Sequence, residues 1–208
     1  MLFDASDMNH WRLITLLAAT GALWGCSSAP AGPYGYTSSY LNERSRCEDH
    51  QAPTAARVDR FIAFYDQLES GQPVDGIETI YAEEVYFNDT LITLRGRDAL
   101  QAHLQKTANN LDSLSVTLLD VLQPSHANDS TDRKQPGATY LVWEMEAQFR
   151  LLGKNRLSHT LGISQLCFNR EGQVTFHQDF WDSSQGLDQH LPILGPPTRW
   201  LRKHSDTQ

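Results

Sequence analysis

The stretch Trp143-Glu-Met-Glu-Ala-Gln-Phe-Arg-Leu151 alternates between apolar and polar side chains without a break. Trp143, Met145, Ala147, Phe149 and Leu151 fall on one side, and Glu144, Glu146, Gln148 and Arg150 on the other. A period of two predicts a β-strand with one covered face and one face turned to water or to a partner subunit. Working outward, Gly153-Lys-Asn reads as a hairpin turn and Leu157 to Phe168 as the returning strand. Asn169-Arg-Glu-Gly172 is a second turn, and Val174 to Trp181 the last strand. Upstream, Leu114 to Asp120 alternates as well, and a polar stretch with Pro124, Pro136 and Gly137 predicts a loop over 123–137.

Before these strands the period is 3.6. Val58, Phe61, Ile62, Tyr65 and Leu68 stand three and four residues apart behind Thr54, a helix ended by Gly71-Gln-Pro73. Asp75 and Glu78 resemble a capping box for a short helix from Gly76 to Tyr81. Val85 to Asp89 reads as a strand, and a third helix opens at Gly96 and runs to about Leu111. Helices followed by sequential hairpins predict an α+β domain. Three N-terminal helices pack on a strongly curved antiparallel sheet, forming a cone with an internal pocket.

The 208 residues include 17 Lys+Arg against 25 Asp+Glu, a net charge of −8 that argues against nucleic acid as a partner. No apolar run reaches the roughly 18 residues of a membrane-spanning helix. Three dispersed cysteines exclude a structural zinc cluster. GxSxG, P-loop and GxGxxG patterns are absent, so no cofactor is expected. His159, His177 and Asp179 are metal-ligand types, but no pair has helical i, i+4 spacing and no third ligand is secured, so no metal is expected.

The first seven residues are acidic, whereas Met8 to Arg12 followed by apolar Leu13 to Trp24 has the form of an export signal. Leu23-Trp24-Gly25-Cys26 resembles a bacterial lipobox, which implies lipidation of Cys26 and attachment to the cell envelope. Ser27 after it favours the periplasmic side of the outer membrane. A plain secretory signal and an N-terminal anchor helix are the other readings. The expected organisation is a leader over 1–26, with Met8 as an alternative start, and a flexible Ser/Pro/Gly-rich tether over 27–52. The domain follows over 53–185, then a basic amphipathic tail over 186–208. The tail either rests on anionic headgroups or covers a sheet edge. Cys47 and Cys167 either pair in an oxidising compartment or remain a loose thiol and a buried small residue.

Several strings resemble the SnoaL-like branch of the nuclear-transport-factor-2-like superfamily, the fold shared with ketosteroid isomerase. They are Tyr81-Ala-Glu-Glu-Val-Tyr-Phe-Asn-Asp89, Arg95-Gly-Arg-Asp-Ala-Leu100, the Gly162, Ser164, Leu166, Phe168 alternation, and His177-Gln-Asp179-Phe-Trp181-Asp182. The resemblance spans about residues 55–183 and implies the cone fold and a small, largely apolar ligand. It also implies proton-transfer chemistry (isomerisation, dehydration or cyclisation), or binding without catalysis, because fold alone does not fix reaction. A homodimer through the outer sheet face is a further implication.

The residues that carry such chemistry are Asp89, His177 and Asp179. Asp89 stands where ketosteroid isomerase has its base; a strand-end aspartate also caps turns. His177, Asp179 and Trp181 share a face at i, i+2 and i+4, so the carboxylate can orient the imidazole. Either this face looks into the pocket, or Phe176, Gln178 and Phe180 do. The isomerase's second acid falls on Ser164, and its helix tyrosine on Phe64 beside Tyr65. Tyr65, Phe87, Trp143, Met145, Phe149, Ser164 and Trp181 are the expected lining.

Overall fold

A computed structural model describes residues 36–68, 72–123 and 137–205. The leader with Cys26, the first part of the tether and most of the 123–137 loop lie outside the described residues. Among the described residues six strands form one sheet: β1 Tyr81–Asn88, β2 Thr93–Arg95, β3 Leu111–Leu122, β4 Thr139–Leu151, β5 Lys154–Phe168 and β6 Val174–Trp181. Their order is β2-β1-β6-β5-β4-β3, so β2 and β3 are free edges and the sheet is not closed. The sheet expected to be antiparallel is mixed, because β1 and β6 pair in parallel. Strands so distant in sequence have no hairpin to fix their relative direction.

The helices are α1 Thr37–Glu43, α2 Ala55–Asp66, α3 Ile77–Ile80, α4 Arg97–Ala108, α5 Ser183–Gly186 and α6 Gly195–Ser205. Single 3₁₀ turns lie at Arg44–Cys47 and Asp188–His190. Helices α2, α3 and α4 lie where helices were expected, and α1 precedes them, so the described N-terminal part holds more than the three expected. The capping box does not form. Gly76, at φ 75°, is the N-cap, and Tyr81 begins β1 instead of ending a helix.

The strand that decided the fold has the expected register. Leu141, Trp143 and Ala147 are buried with Val58, Phe61 and Phe64 of α2 and Leu100, Leu104 and Ala108 of α4; Met145 and Phe149 pack at the margin. Glu146, Gln148 and Arg150 are exposed on the other face. The turn into β5 is Leu152-Gly153, one residue earlier than Gly153-Lys-Asn. Both residues have positive φ, 52° and 73°, the sign a type I′ hairpin requires.

The tether expected over 27–52 is folded in its described part. Cys47 is bonded to Cys167 with Cα atoms 5.2 Å apart. Tyr40 lies on Phe176 and Phe180, with ring centroids 5.9 and 6.0 Å away. Its hydroxyl donates to Gln165 Oε1 at 2.9 Å. Arg46 donates to the Glu84 carbonyl at 2.6 Å, and Gln51 N to Phe168 O at 2.9 Å. Composition suggested flexibility, but the aromatic residue and the cysteine give this segment apolar surface to bury.

Candidate functional site

The site grows from the register of four neighbouring strands. Phe87 on β1 and Leu166 on β5 flank His177, Ser164 flanks Asp179, and Trp143 flanks Gly162. Paired residues point to the same face, so His177, Asp179 and Trp181 look toward α2. Phe176 and Gln178 lie on the opposite face, where Phe176 stacks on Tyr86 and Gln178 bonds Asn88.

His177 is 1% exposed. Phe87 meets its ring edge-on at 4.9 Å, and Phe61 lies 5.5 Å away. Its Nε2 is 2.7 Å from Asp179 Oδ1, and its Nδ1 is 2.8 Å from the Tyr81 hydroxyl. Tyr81 in turn lies 2.5 Å from the hydroxyl of Tyr65, near the end of α2. On the other side, Ser164 donates to Asp179 Oδ1 at 2.5 Å and accepts from Trp143 Nε1 at 2.9 Å. One hydrogen-bonded line therefore runs Tyr65, Tyr81, His177, Asp179, Ser164, Trp143, across β4, β5, β6 and β1.

Its polarity follows from donor inventory. An indole only donates, so Trp143 fixes Ser164 as donor to Asp179. An ionised Asp179 only accepts, which puts the His177 proton on Nε2. Nδ1 then accepts from Tyr81, and Tyr81 from Tyr65. Burial pushes the phenol of Tyr65 far above its ordinary range, and the Asp179 and Asp89 carboxylates add to this against the hydrogen bond with Tyr81. Tyr81 is pushed up by burial first, then by Tyr65 and Asp179. Both stay neutral hydroxyls.

His177 is buried with both ring nitrogens engaged, whereas a base open to a ligand was expected. Asp179 is the accessible end of the pair, its side chain 16% exposed. Its Oδ2 receives no hydrogen bond from a described residue.

Asp89 follows β1 on the same face as Phe87. Its Oδ1 accepts from Leu91 N and Ile92 N at 2.9 and 2.8 Å, the turn-capping role, while Oδ2 lies 3.3 Å from His103 Nε2. Its carbonyl accepts the Trp181 indole N–H at 2.7 Å. Tyr65, Met145, Phe149 and Trp181 are partly buried around the core, Phe87 and Trp143 fully, and Ser164 belongs to the hydrogen-bonded line. His159 points to the outer face, where it pairs with Glu144, so it does not meet His177.

Tyr81 and His103 were not singled out from the sequence. His103 was findable, since it stands three residues after Leu100 and one before Leu104, on the flank of the buried face of α4. Tyr81 was not, because its place depends on the parallel pairing of Tyr81 with Val174.

Solved structures are similar to this chain at low identity. A protein with a ketosteroid isomerase-like fold from Catenulispora acidiphila DSM 44928, in complex with trimethylamine, matches at 16% identity. The match has a TM-score of 0.49 and covers 71% of this chain and 98% of that one. A nuclear-transport-factor-2-like protein of unknown function from Exiguobacterium sp. 255-15 matches at 14% identity and TM-score 0.48, over 61% and 98% of the two chains. A phenazine biosynthesis-related protein from Pseudomonas aeruginosa matches at 8% and 0.47, over 70% and 87%. No curated protein matches the sequence. The SnoaL-like domain model matches residues 61–177, more than half of the chain and the segment that supplies Tyr65, Tyr81, Ser164 and His177, and the chain belongs to that family.

Proposed function

We propose that this is a cell-envelope pocket protein, anchored through lipidated Cys26, which binds a small, largely apolar molecule and moves a proton on it. The observation that carries the reading is the line from Tyr65 to Trp143, because within it Asp179 takes the hydrogen bonds of His177 and Ser164 on Oδ1 and leaves Oδ2 with no hydrogen bond from a described residue, on a side chain that is partly accessible. A carboxylate held by two donors on one oxygen presents the other as a base of fixed position. His177 holds Asp179 from Nε2 and joins it through Tyr81 to Tyr65. Isomerisation, dehydration and cyclisation all need such a base.

Native mass spectrometry against mixed metabolite extracts identifies the ligand. Deuterium exchange from solvent into that bound ligand then measures proton transfer. Asp179→Asn is expected to retain binding and to slow exchange by about 10²-fold or more. Wild-type exchange in that variant removes Asp179 as the base, and exchange by wild type no faster than without protein overturns the catalytic reading and leaves a non-catalytic protein that binds a lipid-like ligand or a partner.

The outer sheet face supports a homodimer as partner. Leu157, Leu161, Ile163 and Phe180 are exposed there, an apolar area of the kind that marks an interface. Light scattering on wild type and Leu161→Glu tests this, with a dimer expected only for wild type.

A further inference from the structure

From Leu191 to Ser205 the chain carries Arg199, Arg202, Lys203 and His204 and no acidic residue, in a protein of net charge −8. Helix α6 meets its own domain along one edge. Gly195 is buried and Thr198 and Arg202 are half-buried. Arg202 is held by Asp182 Oδ2 and Gln185 Oε1, both at 2.9 Å.

The other edge is apolar and uncovered. Ile193 is 85% exposed, Leu194 50%, Trp200 59% and Leu201 57%. Within α6, positions 197, 200, 201 and 204 recur at three- and four-residue spacing, the stripe by which an amphipathic helix normally buries itself, and exposed Ile193 and Leu194 lie in the turn just before it. Here that stripe points away from the domain, flanked by exposed Lys203 and by Arg199, whose guanidinium also donates to the Gln189 carbonyl.

We infer that this stripe is a membrane-contact surface that lies on anionic lipid headgroups. Ile193, Leu194, Trp200 and Leu201 enter the boundary between headgroups and acyl chains, where an indole is at home. Arg199 and Lys203 meet the headgroup phosphates. A second copy is a poorer occupant, because self-pairing would bring like charges together. Nucleic acid gives the aliphatic residues nothing to bury against, and the net charge repels it. The inference does not depend on lipidation of Cys26 or on any activity.

The test uses the full chain with Cys26→Ser, which removes the lipid and keeps every other residue. It is sedimented with vesicles of phosphatidylcholine alone and of equal parts phosphatidylcholine and phosphatidylglycerol. Binding to the anionic vesicles is expected, weakened by salt. Trp200→Ser/Leu201→Ser in the same chain should lower the partition coefficient more than about tenfold, and Lys203→Glu at least about fivefold. These positions are exposed, so circular dichroism should show an unchanged fold; the leader is common to all variants and cancels in the comparison. Equal binding by parent and double variant overturns the inference, as does equal binding to both vesicle types. An oligomer dissolved by Trp200→Ser/Leu201→Ser, without vesicle binding by the parent, also overturns it and makes the stripe an interface between copies.

Discussion

The ring of Tyr81 lies parallel to that of His177, their planes 6° apart, with the phenol oxygen 2.8 Å from Nδ1. This contact joins the first residue of β1 to the middle of β6 and couples Tyr65 to Asp179. Tyr81→Phe keeps the ring and leaves Nδ1 without a donor in a dry site. It should cost about 1–3 kcal/mol of stability, read by chemical denaturation. The same variant should shift the imidazole nitrogen resonances of His177 in long-range ¹H–¹⁵N spectra. Unchanged resonances would show that the two side chains are packed but not coupled.

The Cys47–Cys167 bond closes a sequence separation of 120 residues. Cross-linking so long a loop restricts the unfolded chain, and removing the bond should cost about 3–5 kcal/mol. Denaturation of Cys47→Ala/Cys167→Ala, and of wild type with and without reductant, gives this difference. A cost below about 1 kcal/mol would mean that the N-terminal segment packs without stabilising the sheet.

Met145 and Glu146 are adjacent in sequence and opposite in fate. Met145 packs against the core, and Glu146 is exposed. Glu146→Lys should change stability by no more than about 0.5 kcal/mol, whereas Met145→Lys drives a charge against apolar surface and should lower the unfolding midpoint severely. Equal effects would mean that β4 is displaced by one residue.

Asp182 holds α5 to α6. The hydrogen bond from Ser184 contributes most, and with those from Arg202 and Gln185 it outweighs burial and lowers the carboxyl from 3.8 to about 2. A depressed folded-state value contributes stability that is present above pH 3.8 and lost as pH falls toward about 2. The side chain is 45% exposed, so screening limits the contribution to about 1 kcal/mol or less. Acidification through this window should raise amide exchange in Thr198–Ser205 before the sheet responds, and Asp182→Asn should do so at neutral pH.

Alternation along Trp143–Leu151 and 3.6-residue spacing along α2 and α4 were legible without coordinates, because each records which side chains must leave water. The same logic put His177 and Asp179 on one face. Local pattern cannot say which segments meet across long separations. The parallel pairing of β1 with β6, the bond between Cys47 and Cys167, and the meeting of Tyr65 and Tyr81 with His177 all join residues far apart in the chain. Loop closure makes such contacts costly, and only the burial of a whole core selects one set of them. The sequence by itself determined which residues of β4 and α2 turn inward, and left open which face of β6 does. Tertiary structure decided which of them touch, and with that the hydrogen-bonded line on which any chemistry here depends.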